Sequence, residues 1–344
     1  MQFIFRTNAN NKIGLGHLSR SISLMNLFNK IQCKIFVDQK NKIISSKFKN
    51  IIIKNLYNKK NKFIDELKDA EKFSKILSKN NQDYVFVDDY RIGYKWEKYV
   101  SKFCKKIICI DDFINRKHFS DVYINTKPDF FDLKNKNADL IFKNNKAKCK
   151  FLLGPKFFLP QSKLKSLKRV KKRKKFTLTF YNGGSGNILI YKNIIKKFIK
   201  VNLEEIQINI IVGTFSNNIF KVKKTFKKYK NIKIFYKTKN IYDVFFNTDL
   251  LISSAGVATY ESAYLNIPSI LIKMAKNQEN SYLGFEKIGH YLILEKKDLL
   301  KTNQFVNLLL NILNNFNRVE KLTETKKINI KPNYRKIRDT ITNE

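Results

Sequence analysis

The chain has little of several residues that mark large protein classes. Of its 344 residues only four are cysteine. None forms a CxxC pair: Cys104 and Cys109 are near in sequence, Cys33 and Cys149 stand apart, and few histidines lie close to them. This pattern reads as buried free thiols in a reducing compartment, and it argues against a zinc site. No apolar run reaches the length of a membrane span, and Met1 leads directly into a strand and not a signal peptide. A cytoplasmic protein without a transmembrane segment is the expectation. Acidic residues are few, 28 against 69 basic ones, for a net charge of +41. Such a charge ordinarily suggests nucleic acid. Here arginine, the better reader of bases and phosphates, is scarce, and lysine is spread through nearly every segment among Asn, Ile and Phe. That spread fits an AT-rich codon bias and predicts no specific nucleic-acid partner. One true basic cluster runs from Lys163 to Lys175, either a solvated linker or a patch for a polyanion or membrane.

What is present is the makings of two α/β domains. Hydrophobic residues at 43% and aromatics at 13% fit a globular chain long enough to bury two cores. In the first half, short apolar runs at Phe3–Arg6, Lys34–Val37, Ile51–Ile53, Tyr84–Val87, Lys106–Ile110 and Val122–Ile124 predict strands. Helical patterns at His17–Asn29, Asp65–Ser78 and Tyr94–Phe103 lie between them. Continuous apolar strands separated by helices predict a parallel sheet covered on both faces. After the basic cluster the alternation resumes, with strands at Phe176–Tyr181, Gln207–Val212, Lys233–Phe235, Leu250–Ser253 and Ser269–Ile272. Helices are predicted at Ile188–Val201, Asn217–Tyr229, Ile241–Phe246 and Thr259–Leu265, with a helical tail from Asp298. The expected division is 1–160, a basic linker 161–175, and 176–344.

The stretch Lys12–Arg20, KIGLGHLSR, sits in the turn between the first strand and the first helix. Gly14 and Gly16 let the backbone approach a ligand, and the helix start offers unpaired N–H groups to a phosphate or sugar oxygen. His17 projects from the first helical turn into the same space, as a catalytic group or as a cap for its neighbour. Two later strands end in carboxylate pairs, Asp88-Asp89 and Asp111-Asp112, where open α/β sheets bind ligands. Three of the four read as caps of the following turn, and Asp88 as a substrate contact. In the second half, Asn182–Asn187 (NGGSGN) is a glycine-rich turn between a strand and a helix. Ser253–Glu261 is another strand-to-helix loop, in which the Thr259 hydroxyl and helix N-terminus suit a diphosphate. Glu261 suits the two hydroxyls of a ribose, or simply the helix dipole. Met274–Gln278 supplies amides fit to read a sugar.

Together these stretches resemble the UDP-sugar hydrolases of pseudaminic acid biosynthesis, a family related to the peptidoglycan N-acetylglucosaminyltransferase. The similar segments are IGLGHLSR (13–20), VFVDDY (85–90), ICIDDF (108–113), LLGPKFFL (152–159), NGGSGN (182–187), the 249–261 loop with Pro268 after it, and MAKNQ (274–278). They occur in family order over nearly the whole chain. The resemblance implies a GT-B fold, two doubly wound Rossmann-like domains facing across a cleft. It implies His17 as the catalytic residue and a first-domain substrate site with Gly14, Gly16, Arg20, Asp88 and Tyr90. The UDP-sugar would rest on Gly183, Gly184, Ser185, Asn187, Gly256, Thr259, Glu261, Asn277 and Gln278. No cofactor, no metal and a monomer are expected. Departures are Asn8 in place of the usual aspartate, Ala255 for glycine, Val257 and Ala258 for hydroxyl residues, and Gly186 for a common aspartate. They keep a related sugar transferase open as the competing reading. A polyanion-binding protein without catalysis is a third, set by the charge alone.

Overall fold

The computed structural model describes residues 1–10, 15–40, 44–45, 51–57, 64–127, 136–160, 164, 175–201, 206–238, 240–274, 278, 292–323 and 332–343. It divides into two compact units, Met1–Ser162 with Lys331–Glu344, and Lys163–Ile330.

In the first unit the strands are β1 (Phe3–Thr7), β2 (Cys33–Val37), β3 (Ile53–Asn55), β4 (Tyr84–Asp88), β5 (Lys106–Ile110), β6 (Val122–Asn125) and β7 (Lys150–Leu153). They form one sheet in the order β3-β2-β1-β4-β5-β6-β7, with every pairing parallel. The helices following β1, β3 and β4 are α1 (Gly16–Met25), α2 (Glu66–Ser74) and α3 (Tyr94–Val100). Alternation along β1 feeds both faces. Ile4 packs with Ala70 and Phe73 of α2 and Trp96 of α3. Phe3 and Phe5 face the other way, against Phe28 and Phe86, the Phe5–Phe86 rings stacked 4.4 Å apart. Each such ring, taken fully out of water, is worth about 1.5–3 kcal/mol. Strand order reverses between β1 and β4, whose register pairs Thr7 with Asp88. In doubly wound sheets that reversal opens the ligand crevice at the carboxyl ends of the strands.

The second unit repeats the plan. Its strands are β8 (Phe176–Tyr181), β9 (Ile206–Val212), β10 (Ile232–Tyr236), β11 (Leu250–Ser254), β12 (Ser269–Lys273) and β13 (Leu292–Glu295). Their order is β10-β9-β8-β11-β12-β13, again all parallel. One face buries Leu178, Phe180, Ile194, Phe198, Val222 and Leu309; the other buries Tyr242, Phe245, Leu251, Ala258 and Leu164. The strand reversal falls between β8 and β11.

Several expectations change. Lys150–Leu153, where no strand was predicted, forms the edge strand β7. The third strand lies at Ile53–Asn55 and not at Ile51–Ile53. The tail does not stay with the second domain: a last helix, Tyr334–Thr342, buries Ile337 and Ile341 against the first unit. Lys106 Nζ donates to the carbonyls of Ile341 (3.3 Å) and Asn343 (2.6 Å), and Asn333 N donates to Lys156 O at 2.8 Å. The basic run 163–175 lies outside the described residues except for Leu164, buried in the second core, and Lys175. No helix among the described residues is long and apolar enough to cross a membrane.

Candidate functional site

The strand reversal in the first unit holds an interlocked set of charges. His17 leaves the first turn of α1, and Asp88 ends β4. His17 Nδ1 lies 2.5 Å from Asp88 Oδ1. Ionised aspartate only accepts, so Nδ1 carries the ring proton and donates. Nε2 makes no hydrogen bond among the described residues. The His17 side chain is 12% exposed and that of Asp88 2%. The Tyr90 ring stands edge-on to the imidazole, centroids 4.4 Å apart at 80°, and Phe113 backs Tyr90 in the same way.

Arg20, one turn after His17 on α1, is fully committed. Its Nε and Nη2 donate to Asp88 Oδ2 and Oδ1 at 2.8 and 2.6 Å. Its Nη1 donates to both oxygens of Asp112 at 2.9 and 3.0 Å, and the Tyr90 hydroxyl donates to Asp112 Oδ2. Burial disfavours the ionised form of Asp88, yet Arg20 and His17 hold it below the usual carboxylate range. Burial likewise opposes Asp112, which Arg20 and Lys127 hold down to about 2. Asp88, Arg20 and Tyr90 thus bond to one another, to His17 and to Asp112, and the set orients the histidine.

Beneath this set lies a second one. Arg6, fully buried in β1, forks onto Asp69 (3.1 and 2.8 Å) and reaches Asp38 at 2.7 Å, with Asp89 3.7 Å away. Tyr57 and Trp96 also donate to Asp69, at 2.7 and 2.8 Å, and Arg91 joins Asp38 to Asp89. The turn-capping role holds for Asp89, which accepts from Arg91 N at 3.1 Å, and for Asp111, which accepts from Phe113 N at 2.8 Å. Asp112 caps no turn among the described residues and accepts from Arg20 and Tyr90 instead.

Sequence reasoning passed over His118. It is buried between Glu97 (2.8 Å at Nδ1) and Asp111 (3.0 Å at Nε2), with Cys109 Sγ 3.2 Å from Nδ1. Glu97, Cys109 and His118 form the group of metal-capable side chains found among the described residues. Burial opposes a charge on His118, but Cys109, Asp111 and Glu97 together push the ring well above its ordinary range. Burial pushes the Cys109 thiol up to about 12. His118 thus bridges the carboxylates of Glu97 and Asp111 inside the first unit.

In the second unit the loops after β8 and β11 flank the strand reversal. The 182–187 turn depends on its glycines. Gly183 has φ 71°, where a Cβ is strained, and a Cβ on Gly186 would sit 1.8 Å from Asn182 O. The common aspartate at 186 therefore cannot fit this turn. Gly213, which sequence reasoning missed, ends the neighbouring strand. A Cβ there would lie 2.3 Å from Gly183 O and 2.5 Å from Gly184 O, and Phe215 N donates to Gly184 O at 2.8 Å. Its only sequence sign is a glycine directly after Gln207–Val212.

The loop after β11 opens helix Val257–Tyr264, whose N-cap Gly256 makes no side-chain cap. Gln278 Oε1 accepts from Met274 N at 2.7 Å, which turns Nε2 over Gly256, 3.9 Å from where its Cβ would be. Ser185 and Gly184 are half-buried in the glycine turn. Other predicted contacts are placed differently. Thr259 is fully buried, so its hydroxyl is not offered at the surface. Asn187 Oδ1 caps the next turn through Leu189 N (3.0 Å) and accepts from Asn218 (2.8 Å). Glu261 is 8% exposed, and one oxygen accepts from the Tyr242 hydroxyl at 2.6 Å. Gly16 opens α1, while Gly14 and Asn277 lie outside the described residues.

Two parallel-sheet domains, each with loops at its strand reversal, define a GT-B-type fold. The comparisons with known proteins agree. The chain superposes on MurG of Acinetobacter baumannii with a TM-score of 0.64, covering 99% of each chain at 12% identity. It superposes on MnaA of S. aureus, solved with UDP, with a TM-score of 0.65, covering 99% of this chain and 96% of that one at 11% identity. Residues 179–340 match the glycosyltransferase family 28 C-terminal domain, and the match runs into the last helix, which packs on the first unit. An uncharacterized protein of Methanocaldococcus jannaschii, MJ1062, is 23% identical over 311 residues, 83% of this chain. The chain spans 58% of that relative's length.

Proposed function

We propose that this protein is a hydrolase of a UDP-linked sugar, cleaving the bond at the anomeric carbon to release UDP and free sugar. The sugar we assign is a 2,4-diacetamido-2,4,6-trideoxy hexose of the pseudaminic acid type, on the segments quoted above. The observation that carries the reaction is His17, with Nδ1 fixed on Asp88 and Nε2 unengaged. A base held in that tautomer takes a proton from water. The family 28 match over residues 179–340 and the UDP-bound structural neighbour support a UDP site in the second domain.

In this reading water attacks C1, the C1–O bond breaks, and UDP leaves with the bonding electrons. His17 Nε2 accepts the water proton. Positive charge develops at the ring carbon and negative charge on the diphosphate, and the configuration inverts. The N–H groups of the 183–185 turn and of the helix start after Gly256 stabilise the leaving diphosphate. With Thr259 buried, that work falls on backbone donors and Gln278. This chemistry uses no metal. A sugar transferase would use the same UDP site and pass the sugar to an acceptor.

The test is incubation with UDP-2,4-diacetamido sugars and no acceptor, followed by nucleotide analysis. UDP is expected to accumulate, unaffected by chelator; a strict need for a cell-derived acceptor would put the transferase in its place. Glu261, whose carboxylate also accepts from the Tyr242 hydroxyl, is assigned to the ribose. Glu261→Ala is expected to weaken UDP binding by about 1.5–3 kcal/mol, roughly 10- to 150-fold in Kd by calorimetry. Unchanged affinity in a folded variant would return Glu261 to a structural partner of Tyr242.

A further inference from the structure

A carboxylate 2.5 Å from an imidazole favours the imidazolium, and an imidazolium cannot act as a base. In this protein Asp88 is not left to His17 alone. Arg20 occupies both oxygens of the same carboxylate, and its Nη2 stands 3.4 Å from His17 Nδ1. Two donors at that distance repel, so Arg20 opposes a second proton on the ring. The Arg20 and Asp112 side chains are only 14% and 18% exposed, and water screens this repulsion poorly. Asp112 grips the far side of the guanidinium, and Tyr90 holds Asp112 while its ring abuts His17. The charges facing His17 come from β4 (Asp88), α1 (Arg20) and the turn after β5 (Asp112), with Lys127 acting on Asp112 and the neutral phenol of Tyr90 alongside.

We propose that Arg20 is a positioning residue that keeps His17 a neutral base, protonated on Nδ1 alone, by sharing Asp88 and standing beside that nitrogen. Asp112 and Tyr90 hold Arg20 in that place. The catalytic consequence rests on the hydrolase reading; the protonation state does not. An ion pair that only stabilised the fold would need no contact with the histidine's own carboxylate.

The experiment is a pH titration of ring nitrogen signals in protein labelled with ¹⁵N-histidine. The chain has three histidines, and His17→Asn assigns the signal of interest. In the wild type at neutral pH, His17 is expected to show a protonated Nδ1 and a bare Nε2; an imidazolium there would overturn the proposal without any variant. In Arg20→Gln the His17 titration should move up by about one pH unit or more. Arg20→Lys, which keeps the charge, should move it far less. With UDP-sugar substrate, the acid limb of kcat/KM should rise with the titration in Arg20→Gln, and the rate should recover at alkaline pH. A pH-independent loss of rate with an unmoved titration would reduce Arg20 to a structural tie. A shifted titration without hydrolysis would instead sink the hydrolase reading and leave this inference standing.

Discussion

His17→Asn should lower kcat by about 10²–10⁴-fold, the usual cost of losing a general base. Asparagine has similar reach and can still donate to Asp88, so the start of α1 and the Asp88–Arg20–Asp112 clamp should survive. Neither atom of its amide takes up a proton at neutral pH. The loss should appear in kcat with KM nearly unchanged, because UDP is assigned to second-domain loops that His17 does not belong to. Steady-state kinetics with a folded variant decide the matter. Turnover within several-fold of wild type would remove His17 from the chemistry.

The second large effect is on stability. Arg6 is fully buried and neutralises Asp69 and, in part, Asp38 and Asp89. Arg6→Met keeps the length and apolar stem of the side chain but leaves buried carboxylates short of a cation. Removing one partner of a buried ion network typically costs about 3–5 kcal/mol. Trp96 is the chain's one tryptophan, and its indole N–H donates to Asp69. Its fluorescence therefore reads the first domain alone, a useful property because two domains need not unfold together. The urea midpoint followed at Trp96 should fall sharply in Arg6→Met. A midpoint equal to wild type would mean that the carboxylates find other compensation and that the network is not held by Arg6.

The fold was largely legible because parallel strands buried on both faces appear as short apolar runs. Phe3–Phe5, Tyr84–Val87 and Leu250–Ser253 could hardly be anything else. What escaped notice lies at the edges. The strand Lys150–Leu153 is exposed at one end and carries two lysines' worth of polarity around it, so its pattern is weak. The last helix is amphipathic over only nine residues, and nothing local says which domain its Ile337 and Ile341 will cover.

At the site, the glycine turns and His17 stood out because strand–turn–helix punctuation is local. The partners of His17 did not. The pairing of Asp88 with residues 68 and 71 positions away was not legible, since it depends on β1 and β4 being neighbours. Nor was it legible that the sheet brings Asp112 to Arg20 and Tyr90. Gly213 is legible only from the loop that packs on it. His118 had no visible signal, because Glu97 is 21 residues earlier and the triad closes only when α3 lies against β5.

The central claim is that water attacks the anomeric carbon, and ¹⁸O-labelled water tests it most directly. After turnover with a UDP-2,4-diacetamido sugar and no acceptor, mass spectrometry should find one ¹⁸O on the released sugar and none on UDP. Label on the nucleotide would place the attack at phosphorus, where His17 has no assigned role, and would contradict the account.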